Sequence, residues 1–136
     1  MRLQVYMADK SEVREDLRYT EGDEWVKVEG ANARIGITDH AQYQLTEIVF
    51  VELPSVGDKV KEGDVLGQVE SVKTVASIHA PVSGEIVEVN AELEDATQLL
   101  NESPYEEGWV AVIKMDDPSS VEGLFDAAAY REKLGE

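Results

Sequence analysis

Between Pro54 and Asn90 the chain is a string of short β-branched runs broken at close intervals by glycine and proline, which leaves room for turns and brief strands and little else. Gly57-Asp58 and Gly63-Asp64 repeat one turn dipeptide six residues apart, and Pro81 to Gly84 makes the next turn. Between these turns, Val65, Leu66 and Val69 precede a lysine, Lys73, and Val75, Ile78 and Ala80 follow it. Neither arm has the apolar spacing or the length of a helix, so the segment is predicted to form a hairpin with Ser71 to Thr74 at its tip. Lys73 then points into solvent.

Composition sets the outer bounds. A chain of 136 residues with 43% hydrophobic content can bury one core but not two. A single domain over residues 19–136 is expected, behind an N-terminal arm of residues 1–18 that is expected to be poorly ordered. Arg2 to Tyr6 is alternatively an added edge strand. With 29 acidic and 12 basic residues, the net charge of −17 argues against nucleic acid or anionic membrane as a partner and favours basic surfaces on other proteins. The absence of cysteine excludes disulfides, thiolate metal sites and a cysteine nucleophile, so thiol or electron chemistry would need a borrowed cofactor. His40 and His79 lie far apart without a metal-ligand pattern and read as surface or packing residues. No apolar run approaches a membrane span and the first twenty residues contain no apolar signal core. A soluble, cytoplasmic monomer is expected, or a protein of an organellar matrix if a transit peptide has been removed. The chain shows no set of nucleophile, base and oxyanion donors, so a free-standing enzyme is the least expected reading.

Along the chain, Trp25 to Glu29 alternates as a strand, Gly30-Ala31-Asn32 supplies a turn and Ala33 to Ile37 returns. Thr38-Asp39 is an N-cap signal before a short helix carrying Ala41 and Leu45. Ile48 to Leu53 is a nearly continuous apolar strand, predicted to be buried on both faces. Ala96 to Leu100 is predicted to form a helical turn or two before Ser103-Pro104, and Gly108 to Lys114 a last strand anchored by Trp109. Ser119 and Glu122 make a capping-box pattern that predicts a C-terminal helix with Val121, Leu124, Phe125 and Ala128 on its apolar face. The implied fold is mostly β: a flattened barrel-sandwich hybrid of two antiparallel sheets, with short peripheral helices and a C-terminal helix.

Gly-Asp-x-Val-x-x-Gly-Asp-x-Leu over Gly57 to Leu66, then Glu70-Ser71-Val72-Lys73, then Ala80-Pro81-Val82-Ser83-Gly84, resembles the biotinyl/lipoyl carrier domains, in which the tip lysine carries a covalently attached cofactor. Biotin carriers have methionines on both sides of that lysine. Here Val72 and Thr74 flank it, so the resemblance is to the lipoyl branch. Further motifs narrow it: Tyr19-Thr20 with Glu24-Trp25-Val26, Gly36 to Gln42, Ile48 to Pro54, Ala80 to Asn90, Asn101 to Tyr105 and Gly108-Trp109 are similar to the glycine cleavage system H proteins. The resemblance runs from about Tyr19 to Leu134 in the family's order.

That resemblance implies lipoate attached at Lys73 as N6-lipoyllysine by a lipoate ligase or lipoyl transferase, with Glu70, Ser71, Val72 and Thr74 recognised at the hairpin tip. It implies a shuttle that takes an aminomethyl group from glycine decarboxylase to aminomethyltransferase and is then reoxidised by dihydrolipoamide dehydrogenase. It also implies a resting site for the loaded arm. Glu24 keeps the family's glutamate there; Gly22 stands at the serine position, Asp23 at the usual histidine and Ser77 at the aspartate four residues after the lysine. Those departures give a second reading, an H-like lipoate-binding protein of another pathway, such as heterodisulfide-reductase-like sulfur oxidation; a third, from another class, is an unmodified binding module, against which the intact Glu70 to Lys73 motif argues.

Overall fold

The alternating run after Tyr19 pairs with its own return. β1 (Arg18–Tyr19) and β3 (Asn32–Ile37) flank β2 (Glu24–Glu29), with Glu29 opposite Asn32 across the two-residue turn Gly30-Ala31. Gly30 has φ of 67°, a left-handed conformation that glycine adopts without steric cost. Residues 11–135 are described in the computed structural model of the protein, and the alternative strand over Arg2 to Tyr6 lies outside them.

The remaining strands are β4 (Ile48–Glu52), β5 (Lys59–Val60), β6 (Val65–Ser71), β7 (Val75–His79), β8 (Gly84–Val89) and β9 (Ala111–Met115). They complete a six-stranded sheet in the order β1-β2-β3-β9-β8-β5 and a three-stranded sheet in the order β4-β6-β7, with every pairing antiparallel. The mostly β, two-sheet architecture is as expected, and the sheets keep free edges without closing into a barrel. Ile35, Val51, Val69, Ile78, Val82, Ile86 and Ile113 fill the main core. The two Gly-Asp turns dock on the following segment in the same way: Gly57 N–H donates to the Ile86 carbonyl and Ile86 N–H to that of Asp58, while Gly63 and Asp64 repeat the exchange with Ala80. Among the described residues no helix is long and apolar enough to cross a membrane.

Helix α1 (Asp39–Leu45) is capped as expected, Thr38 Oγ1 accepting from Ala41 N–H at 3.1 Å. Helix α2 (Leu99–Glu102) ends at Ser103, ahead of Pro104, and a 3-10 turn over Ala91–Glu94 precedes it. Three expectations are corrected. β4 is not buried on both faces: an irregularity between Ile48 and Phe50 turns Val49 and Phe50 outward, 47% and 55% exposed. The last strand starts at Ala111, although Val110 N–H already bonds the Ile35 carbonyl. The C-terminal segment is two elements. Asp117, not Ser119, caps a 3-10 turn over Pro118–Gly123, and Asp126 caps α3 (Ala127–Leu134). Between them Leu124 is extended and Phe125 exchanges backbone hydrogen bonds with Tyr19 at 2.8 and 2.9 Å, so the predicted continuous apolar face is interrupted.

A second apolar cluster joins the ends of the described chain. Tyr19 stacks on Tyr130 with ring centroids 4.4 Å apart, beside Val13, Leu17, Trp25, Tyr105 and Ala127. Hydrogen bonds hold residues 12–14 to this cluster and to α3. Tyr19 Oη accepts from Arg14 N–H and donates to the Arg14 carbonyl, Tyr105 Oη donates to the Glu12 carbonyl, and Arg131 donates to that of Val13.

Candidate functional site

The β6–β7 hairpin turns at Val72-Lys73, and one side chain builds the turn. The buried Ser71 Oγ accepts from Lys73 N–H at 3.1 Å and Thr74 N–H at 3.0 Å, and donates to the Thr74 carbonyl at 3.2 Å. Ser71 N–H adds a bond to the same carbonyl, and Val72 N–H donates to the Glu47 carbonyl at 3.0 Å. The tip is thus fixed to its own stem and to the lead-in of β4. Lys73 is exposed, and its ammonium has no hydrogen-bond or ion-pair partner among the described residues. An amine held outward on a rigid turn, with no carboxylate holding it, is available for acylation by an enzyme.

Alternation along β7 links this tip to a cleft. Ala76 and Ile78 face inward, while Val75, Ser77 and His79 are exposed on the other face. From Lys73 to His79 the backbone covers about 20 Å at roughly 3.3 Å per residue. At its far end lies a cleft of about 460 Å³, lined in part by Thr20, Gly22, Glu24, Glu62, His79 and Phe125. Its lining includes Glu21, Glu24 and Glu62 but no lysine or arginine, which suits a cationic occupant.

Glu24 is the buried member, 3% exposed. Its Oε1 accepts from Thr20 Oγ1, and its Oε2 accepts from His79 N–H at 3.0 Å and lies 3.5 Å from His79 Nδ1. A Cβ on Gly22 would stand 3.1 Å from Glu24 Oε1, so the backbone at Gly22 packs closely against the carboxylate. Asp23 does not join this group. It sits at φ of 69° with Oδ1 accepting from Tyr130 Oη at 2.8 Å, and Lys133 Nζ is 3.4 Å away. Ser77 is exposed on β7 opposite Gln68. Glu70 is exposed on the stem opposite Val75, with Val72 and Thr74 exposed at the tip.

Two participants escaped the sequence reading. Thr20 holds Glu24 through both its carboxylate and its backbone N–H. His79, read there as a surface or packing residue, supplies a backbone donor and an imidazole to the cleft. The usable signal was parity: on a strand, Val75, Ser77 and His79 share a face.

A two-sheet β protein that raises one unpaired lysine on a braced hairpin, and keeps an acidic cleft at the root of the same strand, has the build of a carrier that presents an attached group and shelters its end. The family described as Glycine cleavage H-protein matches residues 17–136. The chain is 54% identical over 126 residues to the glycine cleavage system H protein of Halalkalibacterium halodurans, covering 93% of this chain and 98% of that protein. It is 52% identical over 124 residues to that of Staphylococcus haemolyticus, covering 91% and 98%. The crystal structure of a glycine cleavage system H protein from Mycobacterium marinum is similar with a TM-score of 0.83 and 37% identity, over 91% of this chain and 100% of that one. The chain belongs to the glycine cleavage H-protein family.

Proposed function

We propose that residues 19–136 form one carrier domain behind an arm of residues 1–18, whose Val13 and Leu17 pack on the second apolar cluster and whose Arg18 pairs in β1, and that it serves the glycine cleavage system. It would carry the aminomethyl group from glycine decarboxylase to aminomethyltransferase and electrons to dihydrolipoamide dehydrogenase, without catalysing a step itself. The observation that carries this reading is the exposed, unpaired Lys73 on its Ser71-braced turn in a chain of this family. The amine and its surroundings fit lipoate, whose carboxyl group would form an amide with Nζ and whose dithiolane supplies the transfer and redox chemistry. Lys73 provides the anchor and reach. The β7 face leads toward the cleft, and Glu24, fixed by Thr20 and the His79 N–H, offers a carboxylate to the protonated amine of the cargo. The relatives named above favour glycine cleavage over a sulfur-oxidation carrier.

Intact-mass measurement after incubation with a lipoate ligase tests the attachment: one lipoyl increment is expected on the wild type and none on Lys73→Arg. The lipoylated protein should then support glycine-dependent carbon dioxide release with a glycine decarboxylase. Unmodified wild type would overturn the carrier reading, and a lipoylated protein that glycine cannot load would overturn the pathway.

A further inference from the structure

The outer face of the three-stranded sheet has a composition that neither the tip nor the cleft requires. Phe50, Glu70 and Val75 stand opposite one another on β4, β6 and β7, a single row across the sheet. Phe50 and Val75 are each 55% exposed, and Val72 at the tip is 65% exposed. Val49 adds to them because the β4 irregularity turns two consecutive residues outward. Exposed apolar residues grouped on one face mark an interaction surface more than chance scatter does. The charges around them are one-sided: Glu47, Glu52 and Glu70 are exposed on these strands and their lead-in, and from Thr46 to Pro54 and from Val65 to His79 the only lysine or arginine is Lys73 itself.

Reach decides which partner covers this face. An enzyme that acylates Lys73 must bring its reacting centre to Nζ, only a four-carbon stem from the backbone. Its surface then lies against the residues beside the turn. Enzymes that act on the distal end of a lipoyl arm are not tied to the turn by so short a stem. We infer that the Phe50–Glu70–Val75 row, with Val49 and Val72, is the docking face for the enzyme that attaches lipoate, and that this enzyme offers an apolar hollow rimmed by lysine or arginine. Attachment converts the ammonium to a neutral amide, and the three carboxylates of the face have no ion-pair partner among the described residues, so the basic rim meets acidic charge before and after reaction. This inference rests on the carrier reading.

Phe50→Ser and Val49→Ser test it, since both side chains are exposed on β4, away from the β7 face that leads to the cleft, and their loss leaves the core intact. The wild type is measured first with a lipoate ligase; failure there counts against the carrier reading and not against the docking face. With the wild type lipoylated, each variant should show a kcat/KM for lipoylation reduced at least tenfold, mainly through KM, and Glu52→Lys should lower it further. Each variant carried to full lipoylation by long incubation should be loaded from glycine within twofold of the wild-type rate. Unchanged lipoylation kinetics in both serine variants would overturn the assignment. An equal loss in glycine loading would reassign the face to the decarboxylase. If the wild type elutes as a dimer in gel filtration and Phe50→Ser as a monomer, the occupant is a second copy of the chain.

Discussion

Ser71 and Glu24 show how single side chains divide the work between the two ends of β7. Replacing Ser71 by alanine deprives the Lys73 and Thr74 N–H groups of their acceptor at the turn, and the expected loss is about 1 kcal/mol of stability. The same change should lower lipoylation kcat/KM, because the lysine loses its fixed presentation. Urea unfolding and ligase kinetics on Ser71→Ala check both. At the other end, Glu24→Gln should shorten the lifetime of the glycine-loaded protein against formaldehyde release, while Asp23→Asn should not, since Asp23 faces Tyr130 and Lys133. Equal lifetimes for Glu24→Gln and wild type would remove Glu24 from the resting site without touching the role of Lys73. The hairpin that presents Lys73 was legible in the sequence because its signal is local and ordered: turn, strand, tetrapeptide, strand, turn. The Glu24–His79 contact was not, because it joins residues 55 positions apart on strands of different sheets, and no spacing rule encodes that approach.

Among elements, the hairpins and α1 follow from alternation, turn chemistry and capping, whereas β4 and the C-terminal segment do not. A hydrophobic run such as Ile48 to Leu53 reads the same whether its strand is central or bulged at an edge. The exposure of Val49 and Phe50 is set by the partner strand β6. Likewise the Ser119 and Glu122 spacing fits a cap, but Pro118 and the Tyr19–Phe125 pairing divide the segment, and the pairing partner lies at the other end of the chain. Close strand contacts give a sharper prediction. A Cβ on Gly67 would come within 2.0 Å of the Glu52 carbonyl oxygen, against backbone that cannot rotate aside. Gly67→Ala should therefore cost at least about 1–3 kcal/mol through forced separation of β4 from β6, seen as a lower urea midpoint. Gly30→Ala meets no atom within 4 Å and is penalised only by its positive φ, so its midpoint should fall less.

At the scale of the whole molecule, charge and the aromatic clasp have separate consequences. A carrier of net charge −17 should be drawn to basic partner surfaces over a range that shrinks from about 30 Å at 0.01 M salt to about 8 Å at 0.15 M. The apparent Michaelis constant of partner enzymes for the lipoylated protein should rise across that interval, and a flat response would show that contact packing controls recognition. Burial raises the phenol pKa values of Tyr19, Tyr105 and Tyr130 above the ordinary tyrosine value. Their contribution to stability is complete below about pH 10 and falls above it, as the unfolded chain releases protons that the folded chain retains. Melting temperatures should drop as the pH rises above about 10, and less steeply in Tyr130→Phe. The clasp that pairs Tyr19 with Phe125 also supplies two of the residues lining the cleft, while the Lys73 turn is braced separately by Ser71 and Glu47. Heat that frays the joined chain ends would therefore erase the shelter while the handle still accepted its cofactor, leaving a warmed carrier that can be charged but leaks.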